Sequence, residues 1–475
     1  MSLPTHPILR AAAWLSVASL TAGCSSADSR ARSALAEYQV AAASNDVVGA
    51  RRALLKLVRA KDDVADYWAE LGKLEATSGA YGDAYYAFTR AYELNRSDPD
   101  LLRVLTQLAL RTGDLGAAQA RAEELEVVAP GDPWIKLANG WAAVGESRYD
   151  QALATADELL VQNQYDPSAS VLKGRALFGL NREDEAISFL TTHLQAIPDD
   201  SGSLELLAQF YERRDEWAKV ADARQRLDRL RPNDSNNLLT LVQAALRSGR
   251  IDLARAASFR LLQREAPPTL VSRVLDLWSN YWPSPQRIDD ARKLASAAPL
   301  QQRVIYAAFL TRLGSPADAV RIVEPDATIP VRAENAEPNA VLGDALARGG
   351  NFAAAKNRLD AVIAYDPGNA TALRARAELN LRTGKAADAI EDAQKLVTVL
   401  PNSAPDRLLL ARAYTAAGNN SWADRTLWSA FNDIPANDSV YAALRASRTG
   451  NPEALADLQA EFERQRDGQV RKGLL

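Results

Sequence analysis

The sequence predicts an all-α chain of tandem helix-turn-helix repeats, and three observations carry that expectation. Ala and Leu outnumber Val and Ile, which favours helix over strand. A 34-residue register recurs along the chain, with units starting at 31, 65, 99, 133, 167, 201 and 235 and again at 336, 370 and 404. Within it, turn-forming residues and prolines fall at constant places, where one helix must end and the next begin.

The fifteenth place of each unit is Asn45, Gly79, Gly113, Ser147, Asn181, Asp215, Gly249, Gly350, Gly384 or Gly418, all residues that end a helix or tolerate a left-handed turn. A helix hairpin is expected to bend there. The eighth place is usually small, as in Gly72, Gly140, Gly174, Ala208, Gly343, Ala377 and Ala411, which lets two helices touch closely. The twentieth place reads Ala50, Ala84, Ala118, Ala152, Ala186, Val220, Ala254, Ala355, Ala389 and Ala423, where a second helix presses on the first. Pro130, Pro198, Pro232, Pro367, Pro401 and Pro435 stand at place thirty-two and separate one unit from the next.

The second unit carries Trp68-x-x-Leu71-Gly72 followed by Ala84-x-x-x-Phe88. This resembles the W-x2-L-G and A-x3-F parts of the tetratricopeptide repeat pattern, with Glu75 in place of the usual Tyr and Arg96 in place of the usual Pro. The resemblance covers about residues 31–437 and implies a right-handed superhelical α-solenoid whose surface binds proteins.

The register predicts seven repeats over 31–268, an irregular joint over 269–335, three repeats over 336–437 and capping helices over 438–475. In the joint, Val271, Val274, Leu275, Trp278 and Tyr281-Trp282 keep the spacing of a helix face, and helices are expected near 291–298, 300–313 and 316–323. Pro325, Pro330 and Pro338 exclude a long helix over 324–338. The sequence leaves open whether the joint is a hinge or exposes its aromatic residues as a second binding feature.

At the amino terminus, Arg10 precedes the uncharged apolar stretch Ala11 to Gly23, a signal-peptide layout. Thirteen residues are too few for a transmembrane helix, which takes about 20. Leu20-Thr21-Ala22-Gly23-Cys24 resembles a lipoprotein lipobox, with Leu one place earlier than the commonest pattern. That resemblance implies acylation of Cys24, the only cysteine, and a short tether over 24–30. Ser25 in the following place implies the periplasmic face of the outer membrane; cleavage after Ala27, leaving a soluble periplasmic protein, is the alternative.

Composition narrows the chemistry. With 56 Lys and Arg against 60 Asp and Glu, nothing recruits nucleic acid. One cysteine and two histidines, His6 and His193, cannot build a zinc site, and no metal or cofactor is expected. No Gly-rich phosphate loop, HExxH or GxSxG string is present, so no catalysis is expected. Ser170-Val171-Leu172-Lys173 matches SxxK but sits in the first helix of a repeat, and His193 falls at a packing place. The basic run Arg224, Arg226, Arg229 and Arg231 is interleaved with Asp222 and Asp228 and reads as a solvated face.

In tetratricopeptide arrays the groove is lined by places two, five, nine, twelve and thirteen of each first helix. Carried onto this chain, those places point to Trp134 and Trp141, two turns apart on one helix face. Arg103, Gln107 and Arg111 lie on one side of them and Val171, Arg175 and Phe178 on the other. An aromatic pair flanked by arginines is the composition of an interface hot spot. The expected function is a non-catalytic, lipid-anchored periplasmic scaffold for protein partners in exopolysaccharide export or pilus and secretin assembly. A glycan- or cell-wall-binding module is the alternative.

Overall fold

The computed structural model describes residues 26–471 except 233, 264 and 265; the expected lipobox ending at Cys24 lies outside the described residues. Among the described residues there are 26 helices and no strand. The chain divides into two compact units, Met1–Arg250 and Ile251–Leu475.

The amino-terminal unit holds α1 (Ser26–Ala43), α2 (Val47–Ala60), α3 (Ala65–Thr77), α4 (Tyr81–Leu94), α5 (Pro99–Thr112), α6 (Leu115–Val128), α7 (Pro133–Gly145), α8 (Tyr149–Gln162), α9 (Pro167–Gly179), α10 (Glu183–Ala196), α11 (Ser201–Arg213), α12 (Trp217–Leu230) and α13 (Ser235–Arg247). Each odd-numbered helix is the first of a repeat, and from α1 to α11 it packs on the even-numbered helix after it. α1 starts at Ser26, so residues 26–30, assigned to the tether from sequence, lie inside a helix; Asp28 in its first turn suits the positive end of the helix dipole.

All ten predicted turn residues adopt left-handed backbone, from φ 55° at Asn45 and Asp215 to φ 88° at Gly350. The amide after each turn residue donates back to a carbonyl five residues earlier, as from Ala80 to Glu75 and from Asp114 to Ala109. This is the Schellman closure, which satisfies carbonyls that the helix end would orphan. All ten residues at place twenty are buried. Opposite them, a Cβ on Gly72 would come within 2.8 Å of the Phe88 ring, and one on Gly343 within 2.6 Å of Leu359. In these two repeats the glycine at place eight is therefore the hollow into which the large side chain at place twenty-four fits.

Two further devices are not obvious from the register. Asp98, Asp132, Asp166, Asp200 and Asp234, each just before a first helix, cap α5, α7, α9, α11 and α13 through their side chains. Glu75, where the family has Tyr, is buried and ion-paired to Arg51 of the preceding repeat at 2.7 Å.

The carboxy-terminal unit holds α14 (Ile251–Leu262), α15 (Pro268–Tyr281), α16 (Gln286–Ala297), α17 (Leu300–Arg312), α18 (Pro316–Val323), α19 (Ala336–Arg348), α20 (Phe352–Tyr365), α21 (Ala370–Arg382), α22 (Ala386–Val399), α23 (Ala404–Ala416), α24 (Asn420–Asp433), α25 (Asp438–Ala446) and α26 (Pro452–Arg471). The division at 250/251 falls inside the block drawn from the register at 31–268, because α14 is tied forward. Ser258 accepts the Trp278 indole N–H at 3.1 Å, and Arg255 pairs with Asp290 at 2.6 Å.

Within 269–335, α17 and α18 still form a hairpin, which turns at Gly314 (φ 79°), while α15 and α16 each pack on α17. Trp278 and Trp282 are not exposed by the break. Both are buried, packed edge-to-face at 5.1 Å, with Phe309 on the other side of Trp278. Only Tyr281 of the three faces solvent, so the aromatic cluster is core. What breaks the register is α18, which stops at Val323 before the irregular residues 324–335. That loop is pinned: the Asn335 amide donates to Thr328 and Pro330, the Asn339 amide to Thr328, and Arg358 to the Ala327 carbonyl at 2.8 Å.

The turn makes a clean prediction. Nothing lies within 4 Å of a Cβ placed on Gly113, so Gly113→Ala meets no clash and costs backbone strain alone, about 1–2 kcal/mol. Gly113→Asn should cost less, since Asn occupies the same turn at Asn45 and Asn181. Urea midpoints of the helical circular dichroism signal for the two variants check the order.

Candidate protein-binding groove

Four of the eight predicted groove residues meet. Arg111 from α5, Trp141 from α7, and Val171 and Arg175 from α9 line one groove of about 400 Å³ with Tyr81, Gly202, Glu205, Leu206, Gln209 and Arg231. Trp134, Arg103, Gln107 and Phe178 are not part of its lining. Trp134 is half-buried against the Leu and Ile residues of two neighbouring core clusters. Arg103 is held by the α7 cap Asp132 at 2.6 Å and by Asp100. Phe178 stacks on Phe210 at 4.9 Å with the Arg213 guanidinium over its ring. Gln107 is half-buried on α5.

The electrostatics of the groove are lopsided. Three arginines face one carboxylate, Glu205, and Arg231 already pairs with it at 2.8 Å. The Arg111 guanidinium lies over the Tyr81 ring at 4.3 Å, a cation–π contact. Arg175 donates to the neutral amide oxygen of Gln209 at 2.6 Å, and among the described residues it has no carboxylate partner. Burial pushes its guanidinium down from the ordinary value. A half-buried guanidinium stays charged, so its field is aimed at whatever occupies the groove.

Arg224 adjoins this region and was not singled out from sequence. Read there as part of a solvated face, it is half-buried with its Nε shut off from water and without an acceptor. It lies in a smaller cavity of about 260 Å³ that shares Glu205 and Arg231 with the groove. The interleaved acids hid it, because charge alternation along a helix does not reveal which face is covered.

The carboxy-terminal unit has a larger groove, of about 830 Å³, lined by the first helices α15, α17, α19 and α21 and by Ala333 and Glu334 of the pinned loop. It was missed from sequence, although places two, five, nine and thirteen of the 336 and 370 repeats supply Glu337, Asp344, Arg348, Thr371, Arg374 and Glu378 to it. The signal was present; what hid the site was the break in register beside it.

The SxxK match does not converge. Lys173 pairs with Asp157 at 2.6 Å, while Ser170 is fully buried and shares a hydrogen bond with His193 Nδ1 at 3.1 Å. His193 Nε2 in turn meets Asp200 at 3.1 Å. A Ser-His-Asp row of this kind could activate a nucleophile, but all three side chains are buried and none lines a groove. The row ties α9 and α10 to the cap of α11. Among the described residues no group of three or more His, Cys, Asp or Glu is placed to hold a metal ion, and no helix is long and apolar enough to cross a membrane.

Two family models match the chain: one described as tetratricopeptide repeat over residues 341–406, and one described as the N-terminal TPR repeats region of Psidin over 136–267. The chain contains tetratricopeptide repeats. Of solved structures, the APC/C hetero-tetramer Cut9–Hcn1 is similar at 14% identity, over 92% of this chain and 94% of that one, with a TM-score of 0.32. A tetratricopeptide repeat protein from Parabacteroides merdae is similar at 15% identity, over 53% and 100%, with a TM-score of 0.39. MamA protein is similar at 17% identity, over 35% and 91%, with a TM-score of 0.30. No curated protein matches the chain. A tetratricopeptide-repeat fold is generally a protein-interaction scaffold.

The buried row predicts a pH dependence. Burial pushes the Asp200 carboxyl up, but hydrogen bonds from His193, Ser203 and Gly202 outweigh it and hold the group below the ordinary carboxylate range. A carboxyl so depressed stabilises the fold in full above the unfolded-state value near about pH 4, and that contribution fades as pH falls through the folded value. Asp200→Asn should cost about 1–3 kcal/mol at neutral pH. The gap from the parent should narrow in acid below that unfolded-state value, which urea midpoints at the two pH values would show.

Proposed function

We propose that this tetratricopeptide-repeat protein is a non-catalytic scaffold, lipid-anchored through Cys24 at the periplasmic face of the outer membrane. It holds protein partners of an envelope assembly or secretion machine, such as exopolysaccharide export or pilus and secretin assembly. The observation that carries the binding part is the groove where Arg111, Trp141, Val171 and Arg175 converge. Its excess of guanidinium over carboxylate suits a partner segment that presents acidic groups beside an apolar or aromatic side chain. The lipobox, Leu20 to Cys24, supports the anchor. A helix beginning at Ser26 leaves little chain between the acylated residue and the first repeat, so binding takes place close to the membrane.

Two experiments test the halves separately. Trp134 and Trp141 both pack against a buried cluster, so their joint truncation would disturb the fold; Arg175→Glu is the cleaner change because, among the described residues, that side chain bonds only to Gln209. Crosslinking capture from membranes should lose its partner in Arg175→Glu while the helical circular dichroism signal is retained. Undiminished capture would overturn the groove assignment, and recovery of polysaccharide with no protein would assign the glycan-binding alternative. For the anchor, radioactive palmitate should label the parent and not Cys24→Ser; label retained by the variant would remove Cys24 from the proposal.

A further inference from the structure

The groove of the carboxy-terminal unit differs from the one just described in its charge, and the difference is visible pair by pair. Its lining carries four carboxylates, Glu334, Glu337, Asp344 and Glu378, and three arginines, Arg312, Arg348 and Arg374. The arginines are already engaged. Arg374 is bidentate to the fully buried Asp406, at 2.6 and 2.8 Å, and Arg312 pairs with Asp276 at 3.7 Å. Arg348 is shared between Asp344 at 3.0 Å and Glu378 at 3.1 Å, and Glu378 also draws Arg412 at 3.4 Å.

Two carboxylates are left over. Glu337 accepts only from neutral groups, the Thr371 hydroxyl at 2.7 Å and the Asn369 amide at 3.5 Å. Glu334, exposed on the pinned loop, has no cationic partner among the described residues. The same lining has an apolar part: Leu300, Val304, Ile305 and Ala308 from α17, Val341 of α19 and Ala375 of α21. A volume of about 830 Å³ lies within the range of pockets that bury much of a ligand's surface.

We infer that this groove is a second docking site, for a cationic segment of a protein partner in which lysine or arginine alternates with apolar side chains. The apolar part of the lining takes the aliphatic side chains. Glu337 on the first turn of α19 and Glu334 beside it take the cations, which leave water for carboxylates that pair with no cation among the described residues. The loop that breaks the repeat register contributes one of those two acids, so the irregularity at 324–335 is part of the site's wall. The inference stands apart from the groove at Arg175, whose charge is of the opposite sign.

The test uses the full chain and two fluorescein-labelled peptides of equal length, one alternating lysine with leucine and one alternating glutamate with leucine. Fluorescence anisotropy should show the lysine peptide binding, more weakly as salt screens the charges. Glu334→Lys with Glu337→Lys should weaken it by at least about tenfold. Glu123→Lys with Glu126→Lys, an equal change of charge on exposed residues of α6, should leave it unchanged, and circular dichroism checks that all variants remain helical. Binding equal for both peptides, or undiminished in the Glu334/Glu337 variant, would overturn the inference. Self-association in sedimentation that the same variant abolishes would assign the groove to a second copy of the chain instead.

Discussion

A helix hairpin with a turn this short can close only if one residue takes left-handed backbone, because the chain must leave one helix and enter the next almost without a linker. In this protein that residue stands at place fifteen of each of the ten phased repeats, and the Schellman hydrogen bonds on either side of it fix where the first helix stops. Once the turn is set, places eight and twenty must face each other across the hairpin. Close approach there leaves no room for two side chains, so the glycine at place eight of the 65, 167 and 336 repeats receives the Phe or Leu at place twenty-four, as Gly72 receives Phe88 and Gly174 receives Leu190. The caps at Asp98, Asp132, Asp166, Asp200 and Asp234 then fix where the next first helix begins.

This division of labour is what frees the groove. Places eight, fifteen, twenty and twenty-four are committed to closing the hairpin, and places two, five, nine and thirteen of the first helix are not. Arg111, Trp141, Val171, Arg175, Glu205 and Gln209 all sit at those uncommitted places in the amino-terminal unit. Glu337, Asp344, Arg348, Arg374 and Glu378 sit at them in the carboxy-terminal unit. The same hairpin frame therefore carries a lining with surplus guanidinium in one unit and surplus carboxylate in the other.

The frame was legible in the sequence because it rests on residue types with few alternatives: left-handed turns select Gly, Asn, Asp or Ser, and helix contacts select Gly or Ala. Helix bounds in the irregular stretch were legible as well, since prolines and apolar spacing act locally. What was not legible depends on neighbours distant in sequence. Whether Trp278 is core or surface stays open in the sequence until α14 supplies Ser258 for its N–H and α17 supplies Phe309 for its ring. Arg103 reads as a groove residue until the cap Asp132 of the next repeat claims it. Arg224 reads as solvated until the Leu227 side of its helix is covered. A place number says which way a side chain leaves the helix; it does not say whether a partner inside the chain has already taken it.

That distinction decides how charge becomes selectivity. An arginine paired to a buried aspartate, as Arg374 is to Asp406, contributes little field beyond the pair and little discrimination among partners. Arg175, bonded only to a neutral amide, and Glu337, bonded only to neutral groups, keep their full charge directed outward. A segment carrying carboxylates is attracted to the first and repelled by the second, and a cationic segment meets the reverse, so each groove excludes the other's ligand by like-charge opposition as well as by fit. A scaffold built this way can hold two chemically different partners on one chain without either competing for the other's place.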